Sequence, residues 1–280
     1  MKKSKFISFN GDLISSENFK IHYDNRAFKY GDSIFESARS FNTHIPLLKF
    51  NYQRLLKGLN IFNFNIPEFF TFNFLEEQIQ KVIKANKFYN SARIRITIYR
   101  DGESFSYLPI NPTFNFLIEA FELNDNEFKL NEKGLIVDIY DELKKPITPI
   151  LQIKNNCSIF YILPLIWAKS KNLDDAILLN TFNYICEATS SNIIIVDEKK
   201  ELLTPLAEDG CIVGTMLSFI ETFINIKKVH LTIDDLLMAN EIIFTNAING
   251  IKWISEIKKV KYSNSLAKDL LKEINQRIFK

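Results

Sequence analysis

Glycine is scarce in this chain, with eight residues in 280, against roughly 7% in an average protein. No two of them form G-x-G, which leaves no dinucleotide fingerprint and no P-loop. There is no HExxH zinc helix and no GxSxG nucleophile elbow. Cysteine is limited to Cys157, Cys186 and Cys211, an odd number without CxxC spacing. That pattern argues against a disulfide framework or a structural zinc site, and no metal is expected. The three histidines (His22, His44 and His230) lie far apart, a poor start for a triad or a metal centre. No apolar run approaches the roughly 18 residues of a membrane span. The opening "MKKSKFISFNGDLIS" lacks the apolar stretch of a signal peptide, so a cytoplasmic protein is expected. Thirty-five basic residues against 33 acidic give a net charge of +2, which supports neither a nucleic-acid nor a membrane partner.

What remains is an ordinary globular composition, 46% hydrophobic and 24% charged, in a chain long enough for one large domain or two moderate ones. "FISFNGDLIS" alternates around Asn10-Gly11 and predicts a hairpin. "DSIFESARSFNTHIPLLKF" reads as strand, turn, strand. "NYQRLLKGLNIF" and "NFLEEQIQKVIKANKF" have helical spacing. "ARIRITIYRDG" alternates toward an Asp-Gly turn, and "TFNFLIEAF" is a further strand. Residues 1–122 therefore form an expected α+β unit, 123–133 a polar linker, and 134–280 a β-rich unit. In the latter, "LIVDIYDE", "AILLN", "YICEA", "NIIIVD", "ELLTP" and the pair around Asn249-Gly250 are strands. "SIFYILPLIWAKSKN", which Pro164 should bend, "GTMLSFIETFINI" and "SLAKDLLKEINQRIF" are helices.

A few side chains could carry chemistry. Lys154, in "ILQIKNNCSIF", falls where a strand is expected to end. An amine shielded from water there could attack an aldehyde and form a Schiff base. Glu187 is a lone carboxylate between two strand-like runs, followed by Thr189, Ser190, Ser191 and Asn192. A carboxylate in that setting can hold the proton of a pyridine nitrogen. Hydroxyls such as Thr189 and Ser190, with the amides of a helix opening near Gly214 and Thr215, can hold a phosphate. Arg54, on the polar side of an apolar helix, could make a two-point contact with the same anion. Arg95 and Arg100 stand on a strand that otherwise reads as core and need partners, a substrate carboxylate among the candidates. Taken singly, each has a plainer reading: a solvated lysine, a turn carboxylate, an N-cap, a surface arginine.

Taken in order, these segments resemble the class IV aminotransferases, the fold-type IV pyridoxal-phosphate enzymes. That group includes branched-chain and D-amino-acid aminotransferases and aminodeoxychorismate lyase. The similar segments are "NRAFKYGDSIFESARSFN", "NYQRL", "IKNN", "CEATSSNIIIV" and "LLTPLAEDGCIVGTM". The resemblance implies a small N-terminal α+β domain and a larger C-terminal pseudo-barrel domain. It implies pyridoxal 5′-phosphate as cofactor and a homodimer. It implies Lys154 as the Schiff-base lysine, Arg54 as a phosphate ligand and Glu187 as the ring-nitrogen partner. Thr189, Ser190, Gly214 and Thr215 would line the phosphate. The substrate would meet Tyr30, Phe35, Arg95 and Arg100. The chain departs from the pattern at Ser158, Leu217 and Asn51, in place of a tyrosine, an arginine and a histidine. Two reactions fit this resemblance. One is transfer of the amino group of a small amino acid to a 2-keto acid. The other is release of 4-aminobenzoate and pyruvate from aminodeoxychorismate, a step of folate biosynthesis in which Ser37 would be a catalytic proton donor. A scaffold that has lost the cofactor is the non-enzymatic alternative, and joint retention of Lys154, Arg54 and Glu187 speaks against it.

Overall fold

The computed structural model describes residues 2–103 and 106–279, which group into two compact units. The first comprises residues 1–126 together with 153–157. Its elements are β1 (Phe6–Phe9), β2 (Asp12–Ser15), α1 (Arg26–Tyr30), β3 (Ser33–Phe41), α2 (Leu48–Ile61), α3 (Phe72–Asn86), β4 (Ser91–Glu103) and β5 (Ile110–Leu123). The strands form one antiparallel sheet in the order β2-β1-β5-β4-β3. Side chains alternate across it. One face carries Ile34, Ala38, Ile94, Ile96 and Ile98 into a core completed by Leu55 and Leu59 of α2 and Ile79 and Val82 of α3. The other face carries Phe35, Ser37, Arg39, Arg93, Arg95 and Thr97, in the register Phe35↔Thr97, Ser37↔Arg95 and Arg39↔Arg93.

The segment 153–157 is tied to this unit by packing and by backbone. Ile153 is buried in the same core. A Cβ on Gly58 of α2 would come within 2.9 Å of Ile153 Cγ2 and 3.3 Å of Ile34 Cδ1, so glycine there lets the helix approach the segment closely. Phe35 N donates to Lys154 O at 2.9 Å, Asn156 N donates to Ser33 O at 3.2 Å, and Asn155 bridges to Ile34.

The second unit comprises 127–152 and 158–280. It contains β6 (Leu135–Lys145), α4 (Ile159–Ser170), β7 (Asp175–Asn180), β8 (Ile185–Ala188), β9 (Asn192–Val196), β10 (Leu202–Pro205), α5 (Thr215–Ile220), β11 (Lys227–Val229), α6 (Ile233–Met238), β12 (Glu241–Asn246), β13 (Gly250–Ile257), β14 (Val260–Lys261) and α7 (Ser265–Phe279). The strands make a curled half-barrel sheet in the order β11-β10-β9-β12-β13-β6-β7-β8, with β14 beside β13. Strands β7, β8 and β9 are buried at every position, which explains the apolar runs "AILL" and "IIIV" and leaves Asp175, Asn180, Glu187 and Asn192 as buried polar side chains among them. Among the described residues no helix is long and apolar enough to cross a membrane, and no cluster of three or more His, Cys, Asp or Glu could hold a metal ion.

Several local expectations change. "HIPLLKF" is not a strand: after a bridge from Phe41 to His44 the chain enters α2 at Leu48. Asp101-Gly102 does not turn the chain, because β4 continues through a bulge to Glu103. Lys154 does not end a strand but follows a 3-10 turn over Pro149–Gln152. Helix α5 has six residues, much shorter than "GTMLSFIETFINI" suggests. Helix α4 runs through Pro164 from Ile159 to Ser170.

Candidate active site

In the first unit the candidate chemistry gathers around Phe35. Its half-buried ring projects from the face of β3 that the helices leave uncovered. Lys154 Nζ lies 4.6 Å from the ring centroid and the Arg95 guanidinium 3.7 Å from it. Arg95 is held on both sides: its Nη2 donates to Asn156 Oδ1 at 2.9 Å and its Nε to Thr97 Oγ1 at 3.3 Å. Asn156 Nδ2 in turn donates to Ser33 Oγ at 2.6 Å. Burial lowers the pKa of Arg95, opposed by Glu119 across the sheet and helped by Arg93. Ser37 is buried beside Arg95 in the register. The chain thus brings an amine, a guanidinium and a hydroxyl to one sheet face, with an aromatic ring among them.

Arg54 belongs to the opposite, helix-covered face. Its Nε and Nη2 each donate to one oxygen of Glu36 at 2.7 Å, a two-point pair. Glu36 is 1% exposed. Its Oε2 also accepts from Asn51 Nδ2 at 2.8 Å and from Ser37 N at 3.2 Å. Asn51 therefore serves as a donor to this carboxylate. Arg100 does not join Arg95 in a fork: five residues apart on one strand, they project to opposite faces. Arg100 Nη2 donates to Phe62 O at 2.5 Å at the end of α2, and Nη1 lies 3.7 Å from Asp32 Oδ1. Tyr30 sits at the end of α1 against Tyr107, 5.4 Å away between ring centroids, and the Arg26 guanidinium lies 5.2 Å from its ring.

In the second unit Glu187 is buried on β8. Its Oε1 pairs with the Lys145 ammonium and accepts from Tyr161 OH at 2.9 Å, and its Oε2 accepts from Ile212 N at 3.1 Å. Lys145 Nζ also donates to Tyr161 OH at 2.8 Å. Burial, with Glu187 adjacent, pushes the Tyr161 phenol pKa far up. The same causes raise the Cys186 thiol, and push Cys211 up to about 12, so both stay neutral.

The hydroxyl row after Glu187 is divided among other tasks. Thr189 Oγ1 donates to Asp175 Oδ1 at 2.5 Å, where burial raises the pKa of Asp175. Ser191 Oγ accepts from Asn246 Nδ2 at 3.0 Å. Ser190 is exposed. Thr189 is therefore committed to Asp175 rather than to an anion. Thr215 is different: its hydroxyl is buried and has no hydrogen-bond partner. The preceding Gly214 lies so close to Asn192 that a Cβ would come within 1.8 Å of Asn192 Oδ1. Leu217, at the position expected for an arginine, is buried.

Lys145 and Tyr161 were invisible as site residues. Lys145 lies in the charged run "DELKK" that overlaps the expected strand "LIVDIYDE", and Tyr161 sits in an apolar helix. Only the burial created by the sheet shows that the lysine meets Glu187.

Two α+β units, the second built on a curled half-barrel, are the arrangement of the fold-type IV enzymes. The model of the amino-transferase class IV family matches residues 33–257, and the chain belongs to that family of enzymes. The chain is 25% identical over 282 residues to the probable branched-chain-amino-acid aminotransferase of Rickettsia bellii, covering 96% of this chain and 94% of the relative. It is 23% identical over 294 residues to the branched-chain-amino-acid aminotransferase of Escherichia coli, covering 99% and 93%. Among solved structures, an Escherichia coli branched-chain amino acid aminotransferase shares the fold with a TM-score of 0.88 at 21% identity, over 98% of this chain and 94% of that one. The Thermobaculum terrenum branched-chain aminotransferase, solved in its PLP form, matches at a TM-score of 0.86 and 16% identity, over 100% and 95%.

Proposed function

We propose that this chain is a pyridoxal-phosphate-dependent aminotransferase that moves the amino group of a small amino acid to a 2-keto acid. Branched-chain amino acids are the first substrates to test, because the relatives named above are branched-chain aminotransferases. For the same reason we carry transamination rather than elimination. The observation that carries the reading is the pairing of Lys154 and Arg95 on one aromatic ring, an amine and a carboxylate receptor side by side.

The residues fit the cofactor's chemistry. A phosphate needs donors, and Thr215 offers a buried hydroxyl without a partner. A pyridine nitrogen needs a carboxylate, and Glu187 is a buried one. When bound, the cofactor supplies an aldehyde for an amine and a ring that stores an electron pair. Lys154 Nζ would bind that aldehyde and later take the proton from Cα of the amino acid as general base. Phe35 screens one side of the amine from water. Arg95, held by Asn156 and Thr97, would orient the substrate carboxylate in two-point fashion. Glu187 would hold the proton at the ring nitrogen, and Thr215 Oγ1 would donate to a phosphate oxygen.

A homodimer is part of this reading. The helix α4 exposes Ile159, Ile162, Leu163 and Ile166 in an i, i+3, i+4, i+7 stripe, an apolar surface that a second copy could cover.

The test supplies leucine, isoleucine or valine with 2-oxoglutarate to the cofactor-loaded protein and measures glutamate. We expect glutamate to form only when both substrates are present. Pyruvate and 4-aminobenzoate from aminodeoxychorismate without a keto acid would establish the lyase instead. Turnover of neither substrate set would refute the reading.

A further inference from the structure

Lys145 is 2% exposed, among the most buried side chains of its size in the protein. An ammonium is not taken out of water without a charge to meet. The one it meets is the carboxylate of Glu187, with Tyr161 OH bridging the two. We infer that Lys145 sets the charge of the ring-nitrogen site: it neutralises Glu187, so that a pyridine nitrogen resting on Glu187 gives up its proton more readily than it would against a free carboxylate. The inference rests on the cofactor reading above.

The geometry supports this in two ways. The first is how the acceptor positions are filled. A carboxylate has about four lone-pair positions, two on each oxygen. Among the described residues, Oε1 takes two donors, Lys145 Nζ and Tyr161 OH, whereas Oε2 takes only Ile212 N. One acceptor position on Oε2 is left inside the buried site, where a ring N–H could be received without displacing Lys145. The second is the charge balance. The other titratable groups around the pair are Tyr161 of α4, Cys186 of β8 and Cys211 before α5, with Asp209 beyond Cys211. The phenol and both thiols are held neutral by burial and by Glu187. Lys145 is therefore the cation that decides how much negative charge Glu187 presents. It is also unsuited to hold the aldehyde, since an ion-paired ammonium has no free electron pair for attack.

The experiment loads the protein with pyridoxal 5′-phosphate labelled with 15N in the ring and follows the nitrogen resonance with pH. Lys145→Gln keeps a donor toward Glu187 but removes the charge, and Lys145→Arg keeps the charge. In Lys145→Gln the protonated ring should persist to higher pH by about one unit or more, a roughly tenfold tighter proton, the size of a direct charge effect. Lys145→Arg should titrate as the unaltered protein does. Superimposable titrations of Lys145→Gln and the unaltered protein would overturn the inference while leaving the cofactor reading intact. Failure of the unaltered protein to bind the labelled cofactor would overturn both. Should Lys145→Gln not fold, adding Glu187→Gln must restore folding, since both charges then leave together. A double variant that also fails would show that Lys145 acts on something other than Glu187.

Discussion

Glu36 shows how one buried carboxylate can organise several donors around it. Its carboxylate is almost wholly buried and takes two donors from Arg54, one from Asn51 and one from the backbone of Ser37. The helix spacing of "NYQRL" puts Arg54 on the polar side of its helix, but the sequence does not say that a glutamate eighteen residues earlier would pair with the guanidinium. Removing one partner of a buried pair leaves the other charge unmatched, a loss of about 3–5 kcal/mol. Arg54→Ala should therefore lower stability in urea denaturation by that order. Adding Glu36→Gln should recover much of it. A stability change below about 1 kcal/mol, typical of solvated pairs, would show that the pair is dispensable. Lys145 was hidden for a similar reason. Its partner Glu187 lies forty-two residues away, and only strand pairing of β6 with β7, and β7 with β8, brings them together.

At the scale of elements, alternation and helical spacing locate most strands and helices, the short strands β7 to β10 among them, and most differences lie at element ends and lengths. The β1–β2 hairpin, helices α2, α3 and α7 and the β12–β13 pair around Asn249-Gly250 follow from alternation, 3.6-residue spacing and turn chemistry. Helix α6 escaped the reading although Thr232 and Asp235 form a reciprocal capping box, because its six residues give too short a period to recognise. "HIPLLKF" misled for the converse reason: its first residues are extended, and its apolar stretch already belongs to the entry of α2. The start of α5 carries the element-scale prediction. With six residues, the helix offers little dipole, so in the proposed reading the phosphate contact falls to the unpartnered hydroxyl of Thr215. Thr215→Val keeps the shape and removes that hydroxyl. Thermal stability should hold or rise slightly, since a buried orphan donor is lost. Cofactor affinity should fall about 10- to 150-fold, the equivalent of roughly 1.5–3 kcal/mol for one bond to a charged group. Equal affinity in a titration of the two proteins would remove Thr215 from the phosphate site.

For the whole molecule, the sequence reading of an N-terminal α+β part and a β-rich remainder rests on hairpins and long helices giving way to short apolar runs after the polar stretch near residue 124. The return of residues 153–157 to the first unit was not visible. That return depends on Ile153 entering a core otherwise built from residues 34–120, and on Gly58 leaving room for it. Five residues with no periodicity of their own thus place Lys154 over Phe35. In the proposed reading Lys154, not Lys145 or another lysine, is the amine that holds the cofactor. Borohydride reduction of the cofactor-loaded protein, followed by proteolysis and mass mapping, tests it directly. We predict a single reduced adduct on the peptide carrying Lys154, absent in Lys154→Ala. An adduct on Lys145 or any other lysine, or none in a protein shown to have bound the cofactor, would contradict it.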